Sequence, residues 1–591
     1  MAAILIVRDP DPERRRRGMR AAESAMRHFD IEVAASEQGV IGFVCGVYPG
    51  GPLSRCGGAL VLGDVIPGPG PERLDAQGYA RLAPAGGVPP AFDGYHLAAS
   101  FDARGALTVA ADTLGTFPVH VAEAEDAVLI ASSPALITGY PGFTAAPDPL
   151  GLAALLVVNG PVRGRTPYRG IRRLARGHAL VAAAGGAPRE VRHYAVEPHR
   201  ESYDVPATEC ALRLHEAFAE AARRHVPAGT PHTMLLSGGL DSRIVIGVLA
   251  SQGVPMNAIT RGDGSDLEYR CARAVARHLG LAQHRIAHRE TFEGFERMIW
   301  WDGMVCSPGL AGGNGLGEPL PHAHGCLASG FMADPIFGGL TMTKSFDRAS
   351  RTASFERYLA RSNDWGVPLA TLQRLVRRDV FGDAVQTIVD ELREDYMGAA
   401  DRHMARSWLH TMELRQRIGM GHLLSHLAFT AWPRNPQLDR AVLHAAAGIP
   451  MPLLAGRRLE RDMLNRFHTD LARLPLDRND VDVTPPLAGV RDLLRAGMDR
   501  RIRRWRARLG VPRPERRYYH RTFDFNGADW LATRRRAEAD RERAYALFEP
   551  DAFDALVPRP DERWQPPGSI EGASGVKMLT ALGVWLRVGF A

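Results

Sequence analysis

Lysine is almost missing from this 591-residue chain: Lys344 and Lys577 are the only two among 73 Lys+Arg residues. Arginine therefore carries nearly all of the positive charge, and a phosphate site here has to be built without the lysine that a GxxxxGK[ST] loop requires. Cysteine is sparse and scattered. Cys45, Cys56, Cys210, Cys271, Cys306 and Cys326 include no CxxC pair and no Cys/His zinc spacing, so reduced thiols are expected rather than a disulfide framework or a structural metal. No apolar run approaches the roughly 18 residues of a membrane span; the best stretch, 150–158, stops at Asn159-Gly160. The residues after Met1 are apolar first and basic second, the reverse of a secretion signal, so a cytoplasmic protein is expected. A strong charge surplus is missing too. The 73 Lys+Arg against 66 Asp+Glu leave +7, which does not call for a nucleic-acid partner.

What is present is globular. A composition of 45% hydrophobic and 24% charged residues excludes wholesale disorder and fibres, and the length implies several domains. Up to residue 180 or so, short apolar runs at 42–48, 107–111 and 127–131 alternate with Gly/Pro turns, the pattern of strands. Beyond Ala182 the chain becomes rich in Gly, Pro and charge, and from Ala207 the residues Ala211, Leu214, Phe218 and Ala221 recur at helical spacing until Pro227. This predicts a strand-rich domain over 1–200 and a helix-rich domain over 205–591. The arginine-dense segment 491–521, with Trp505, Tyr518 and Tyr519, reads as a solvated face or a contact for an acidic peptide rather than an RNA platform.

The stretch that carries chemistry is Thr233-Met-Leu-Leu236, then Ser237-Gly238-Gly239-Leu240-Asp241-Ser242, then Arg243-Ile-Val-Ile-Gly-Val-Leu-Ala250: an apolar strand, a loop of small residues and a helix. Gly238 and Gly239 let backbone N–H groups turn inward, and Ser237 and Ser242 add hydroxyls at the partly positive start of a helix, a combination suited to phosphate. Asp241 inside such a loop repels phosphate unless a divalent cation bridges the two, so the loop points to Mg2+ together with its nucleotide. A bare SGG before an aspartate also fits a tight turn and an N-capped helix; the full SGGLDS between strand and helix favours the anion site.

SGGLDS resembles the pyrophosphate loop of the ATP pyrophosphatases, which split ATP between the α and β phosphates. The rest of the chain resembles the asparagine synthetase superfamily over nearly its full length. Thr260-Arg261-Gly-Asp-Gly-Ser-Asp266-Leu-Glu268-Tyr269 looks like the family's second strand and helix. Ala328-Ser329-Gly330-Phe331-Met332-Ala333-Asp334-Pro335-Ile336-Phe337-Gly338-Gly339 is similar to its SGEGADELFGGY, and Arg434-Asn-Pro436-Gln-Leu-Asp439 resembles its RxPFLD. The resemblance implies an α/β fold, α+β overall: an N-terminal Ntn-type αββα glutamine-amidotransferase-like sandwich, followed by an ATP-pyrophosphatase (adenine nucleotide α-hydrolase-like) synthetase domain with extra helices. It further implies that Asp241 and Asp334 hold the Mg2+ of ATP. Leu236, Ser237, Gly238, Gly239, Leu240, Ser242, Thr260, Arg261, Ser329 and Gly330 would line the ATP and pyrophosphate site.

Departures from the family narrow the substrate. Phe92-Asp93-Gly94, Asp112-Thr-Leu-Gly115 and Thr166-Pro167-Tyr168-Arg169-Gly170 follow the order of the glutamine-hydrolysing domain, but position 2, its cysteine nucleophile, is Ala2. If Met1 is the true start, glutamine hydrolysis by that route is excluded and the amine must come from the substrate itself. Phe331 stands where asparagine synthetases carry Glu and β-lactam synthetases a catalytic Tyr, so no proton is taken there. An α-amine, with an ordinary pKa of about 7.7–8.0, needs little base help. The catalytic lysine of the family is expected at Arg461, with Lys577 as the other candidate cation; a solvated helical arginine and a structural lysine are the competing readings. Glu318, in a Gly-rich stretch, is a weak candidate for positioning substrate, as is Phe331. Together these residues read as a lasso-peptide-type macrolactam cyclase that adenylates an Asp or Glu side chain of a precursor (core) peptide, with a leader peptidase and leader-recognition proteins as pathway partners and no nucleic acid. The alternatives are an ammonia-dependent asparagine synthetase, a β-lactam-synthetase-like ligase, or a non-catalytic peptide-binding subunit.

Overall fold

Alternation along the first strand, Ala3–Arg8, sets the architecture of the N-terminal part. Ile4 and Ile6 enter one core with Phe43, Leu62, Leu97 and Ile130, while Ala3, Leu5 and Val7 face the opposite way, against Met19, Met26 and Leu155. Side chains two apart on a strand share a face, so this pattern requires a covering layer on each side of the sheet. The computed structural model, which describes residues 2–227, 229–262, 264, 266–287, 291–308, 320–338, 351–477, 483–509, 525–564 and 573–590, supplies both. One antiparallel sheet runs in the order Arg172–Arg173, His120–Ala124, Ala127–Ala131, Ala3–Arg8, Ile41–Val47, Glu32–Gln38. The other, also antiparallel, runs Arg189–Arg192, His178–Ala182, Leu107–Ala111, His96–Phe101, Ala59–Gly63, Leu53–Cys56. Helices Pro12–Met26, Pro134–Thr138 and Pro149–Val158 cover the first sheet, and Ala76–Leu82 covers the second through Tyr79. The layers are helix, sheet, sheet, helix, which is the αββα sandwich expected.

The sandwich's last strand ends at Arg192, and the next regular element is the helix Ala207–His225. A five-stranded parallel sheet follows, in the order Gln283–Ile286, Met256–Arg261, His232–Leu235, Cys326–Ser329, Trp432–Arg434. The chain lays down His232–Leu235 first, steps outward twice in one direction, then returns to pair Cys326–Ser329 on the other side. Such a reversal opens a crevice beyond the carboxyl ends of the two central strands, the standard ligand position of open α/β sheets. The edge strand Trp432–Arg434 abuts the sandwich, where the Trp432 indole N–H donates to the Tyr95 carbonyl at 3.0 Å. The final helix, Ala573–Val588, closes a core shared by both parts, with Trp585 packed 5.1 Å from Tyr168, ring centre to ring centre. Among the described residues no helix is long and apolar enough to cross a membrane.

Candidate active site

The crevice is bordered by two loops, one from each central strand. Leu235 hands over to Leu236, whose N–H donates to the Ile259 carbonyl and whose own carbonyl accepts from Thr260 Oγ1 at 2.8 Å. The two serines then stitch the loop together. Ser237 N–H donates to Ser242 Oγ at 3.1 Å, Ser242 Oγ donates to the Ser237 carbonyl at 3.2 Å, and Gly239 N–H donates to Ser237 Oγ at 3.3 Å. Gly239 begins the helix Leu240–Ser251 without a side-chain cap, which leaves the helix's first N–H groups for a ligand. A Cβ on Gly238 would lie 2.7 Å from the Glu268 carbonyl oxygen, and one on Gly330 only 2.6 Å from Ser242 N. Both glycines are therefore fixed by close approach, and Gly330 is the point where the second loop meets the first.

That second loop, Ser329 to Asp334, hangs from the 434–439 segment. Ser329 Oγ donates to Asn435 Oδ1 at 2.8 Å, and the Gln437 amide donates to the carbonyls of Ser329 and Phe331 at 3.0 and 2.7 Å. Met332 takes a left-handed conformation (φ 64°), and Asp334 opens a short π-helix, Asp334–Gly338, held by Trp408 Nε1 donating to the Pro335 carbonyl at 2.6 Å. Single π turns of this kind recur at functional sites. Phe331 is half-buried between the cores that contain Trp432 and Leu427, so it presents no proton acceptor.

Three carboxyl groups meet in this crevice. Asp241 Oδ2 accepts from Arg457 Nη2 at 3.1 Å, and Arg457 Nη1 lies 3.5 Å from the fully buried Glu460. Gln416 donates to Asp334 at 3.4 Å. Burial, then the charge of Asp241, pushes Asp334 up to about 7 despite Arg457 and Arg415; burial and the same two aspartates push Glu460 well above the carboxylate range. Glu460 shares a hydrogen bond with Asp241, carboxyl to carboxyl, and among the described residues no other group hydrogen-bonds Asp241 Oδ1 or the Glu460 oxygens. Hard oxygen donors beside an open helix start fit Mg2+ carried by a nucleotide phosphate. Arg457 itself is left-handed (φ 58°), a costly conformation for a non-glycine residue that aims its guanidinium into the site.

The sequence reasoning located the first loop, Thr260, Arg261, Ser329, Gly330 and Asp334, and the structure gathers them around one crevice. The two cations it offered are engaged elsewhere. Arg461 is exposed and turns back to donate to the carbonyls of Arg457 and Gly456 at 3.2 and 2.9 Å, because a side chain at the start of helix Arg458–Phe467 reaches free carbonyls before it reaches the next loop. The arginine at Asp241 is Arg457. Lys577 is fully buried, its ammonium 3.9 Å from the Trp530 ring centre within the core of the final helix, a structural placement. Ala2 is buried at the head of the first strand, its methyl offering no nucleophile. Glu318 lies outside the described residues. Glu460 was missed, although a signal existed: it shares a helix face with Met463 and Leu464, and a lone acid on an apolar stripe is costly unless it serves a site.

Comparison with known proteins places the chain among relatives. An amidase, chyE, of Penicillium rubens is 24% identical over 257 residues, covering 39% of this chain and 38% of that protein. Asparagine synthetase [glutamine-hydrolyzing] 3 of Bacillus subtilis is 28% identical over 151 residues, covering 25% of this chain and 24% of that one. The chain thus spans well under half the length of the curated relatives it matches. Among solved structures, the glutamine phosphoribosylpyrophosphate amidotransferase from B. subtilis aligns over 49% of this chain and 82% of its own, at 12% identity and a TM-score of 0.22. Residues 213–587 match the asparagine synthase family, a span that contains both crevice loops, Arg457 and Glu460, and the chain belongs to that family.

Proposed function

We propose that the chain is an ATP-dependent, AMP-forming carbon–nitrogen ligase whose substrate is a peptide, closed into a macrolactam of the lasso-peptide type. The observation that carries the ligase reading is the crevice: an uncapped helix start and glycine loop on one side, and the three acids Asp241, Asp334 and Glu460 around the single guanidinium of Arg457 on the other. Asp241 and Asp334 would hold Mg2+, which when bound offsets the charge of the triphosphate. The uncapped N–H groups at the start of the helix Leu240–Ser251 would orient the phosphates, and Arg457, beside Asp241, would offer its charge to the departing pyrophosphate. A substrate Asp or Glu carboxylate oxygen attacks the α-phosphorus, and the bond to pyrophosphate breaks. The peptide's N-terminal amine then attacks the acyl carbon, the bond to AMP breaks, and the amine's spare proton passes to solvent. One feature supports the peptide as substrate: Phe331 supplies no base, which an α-amine can do without.

The test is incubation of the full chain with ATP, Mg2+ and the core peptide of a precursor encoded beside its gene. Loss of one water from the peptide, with AMP and pyrophosphate released, is expected. ADP as product overturns the ligase assignment; asparagine formed from aspartate and ammonium, with the peptide untouched, overturns the peptide assignment alone.

A further inference from the structure

Of the ten large apolar side chains exposed among the described residues, eight fall between 487 and 509, on and beside the helix Val490–Arg508. Val490, Leu494, Met498, Ile502, Trp505 and Leu509 recur every three or four residues, so they form one stripe along the helix. They are 75%, 66%, 61%, 50%, 64% and 58% exposed. Ala496, which is buried, lies on the opposite side of the helix, so the stripe points away from the body. Contiguous exposed apolar surface of this kind marks a contact site.

Charge selects what the contact is. Residues 490–509 hold eight arginines against Asp492 and Asp499, nearly the whole surplus of a chain whose net charge is +7. A second copy would bring the same cations face to face and is disfavoured. Single-stranded nucleic acid stacks on aromatic platforms, but this stripe is aliphatic apart from Trp505. An anionic bilayer surface offers both things the helix presents for: phosphates for Arg491, Arg495, Arg501 and Arg508 along the edges of the stripe, and an acyl boundary for its apolar side chains, with tryptophan at the level it prefers. We propose that the helix Val490–Arg508 is a peripheral docking element. It lies flat in the headgroup layer of an anionic membrane, apolar stripe inward, and holds the ligase at that surface.

The test is co-sedimentation of the full-length protein with vesicles of phosphatidylcholine alone or mixed with phosphatidylglycerol. Binding to the anionic vesicles only is expected, with a loss of about tenfold in the Leu494→Glu/Ile502→Glu variant. A second variant, Arg491→Gln/Arg495→Gln/Arg501→Gln, removes charge at the phosphate contacts while leaving every apolar side chain of the stripe in place, and should weaken binding several-fold, as should raised salt. Both alter exposed side chains, so the melting temperature should stay at the wild-type value. Equal sedimentation of wild type and both variants overturns the proposal. So does retention on polyglutamate or RNA without vesicle binding, or a solution dimer that Leu494→Glu/Ile502→Glu dissolves.

Discussion

At the seam between the sandwich and the parallel sheet, Asp64 accepts from Arg434 Nε at 2.6 Å and Arg73 Nε at 3.3 Å, and Asp93 accepts from Arg440 Nε at 3.1 Å with Arg224 3.6 Å away. In the crevice a few residues along the same 434–439 strut, Asp241 and Glu460 share one guanidinium, that of Arg457. Both sets of acids are wholly or partly removed from water, but cations outnumber carboxylates at the seam while carboxylates outnumber cations in the crevice. The outcome for Asp64 is telling: burial pushes it up, yet Arg434 and Arg73 more than reverse this and hold it below its ordinary value, whereas Asp334 ends near 7. A neutralised cluster joins parts of a fold. An under-neutralised one stores an attraction for a cation that the chain does not itself supply.

The largest effect should come from removing charge in the crevice. Asp241→Asn or Asp334→Asn is expected to cut AMP release by about a thousandfold or more, the scale of losing one well-placed electrostatic group. Thermal stability should hold or rise, because repulsion among the three acids is relieved. Turnover and melting temperature measured on one preparation decide it; a variant that lost stability along with activity would erase the contrast with the seam.

At the seam the order reverses. Asp64→Ala strands Arg434 and Arg73 in a buried interface and should cost about 3–5 kcal/mol in denaturant unfolding, the penalty for breaking a buried pair from one side. AMP release per folded molecule should change far less than in the crevice variants.

Arg457→Gln bridges the two cases. It leaves Asp241 and Glu460 without their guanidinium, so the protein free of metal should lose about 3 kcal/mol. Added Mg2+ should raise the variant's melting temperature more than that of the wild type, since the ion then meets carboxylates with no competing arginine. An equal rise in both proteins would mean that Arg457 is not the resident counter-ion of the site.

The seam and the crevice also differ in how visible they are from sequence. SGGLDS and Asp334 can be read in order because each sits in a strand-loop-helix context that only a few conformations satisfy, and glycines such as Gly238 and Gly330 report close approach directly. The apolar runs at 42–48, 107–111 and 127–131, set between Gly and Pro turns, likewise announce strands, and the structure has them at Ile41–Val47, Leu107–Ala111 and Ala127–Ala131. Arg457 was not legible. In a chain with 71 arginines no single one stands out, and its role depends on a left-handed turn at Gly456-Arg457 that composition does not reveal. The pairing of Asp64 with Arg434, 370 positions apart, is equally silent, since it depends on how two domains dock.

Acid titration sharpens the comparison further. His193, His232, His422 and His468 are each held down to about 4, mainly by burial, against an ordinary 6.5. Between those values the unfolded chain binds protons that the folded protein does not, so stability should fall as pH drops from 6.5 toward 4. Asp334 and Glu460 act in the opposite sense: their folded forms keep a proton that the unfolded chain has given up, which costs stability as pH rises from the ordinary carboxylate value toward 7. Four histidines outweigh two acids, so net loss at low pH is expected. Asp334→Asn removes part of the offset and should steepen that loss by about one proton between pH 4 and 6.5, as read from urea unfolding at several pH values.

The smallest effect is expected where sequence reasoning placed the catalytic cation. Arg461 is exposed, and its guanidinium is already committed to the carbonyls of Gly456 and Arg457. Arg461→Ala should therefore change unfolding free energy by no more than about 0.5 kcal/mol, the usual range for a surface substitution. AMP release should fall by no more than about threefold, through a slight loosening of the turn that aims Arg457. A hundredfold loss with Asp241 and Arg457 intact would show that Arg461 swings into the crevice once nucleotide binds. The cation deficit that separates crevice from seam would then be met by two arginines rather than one.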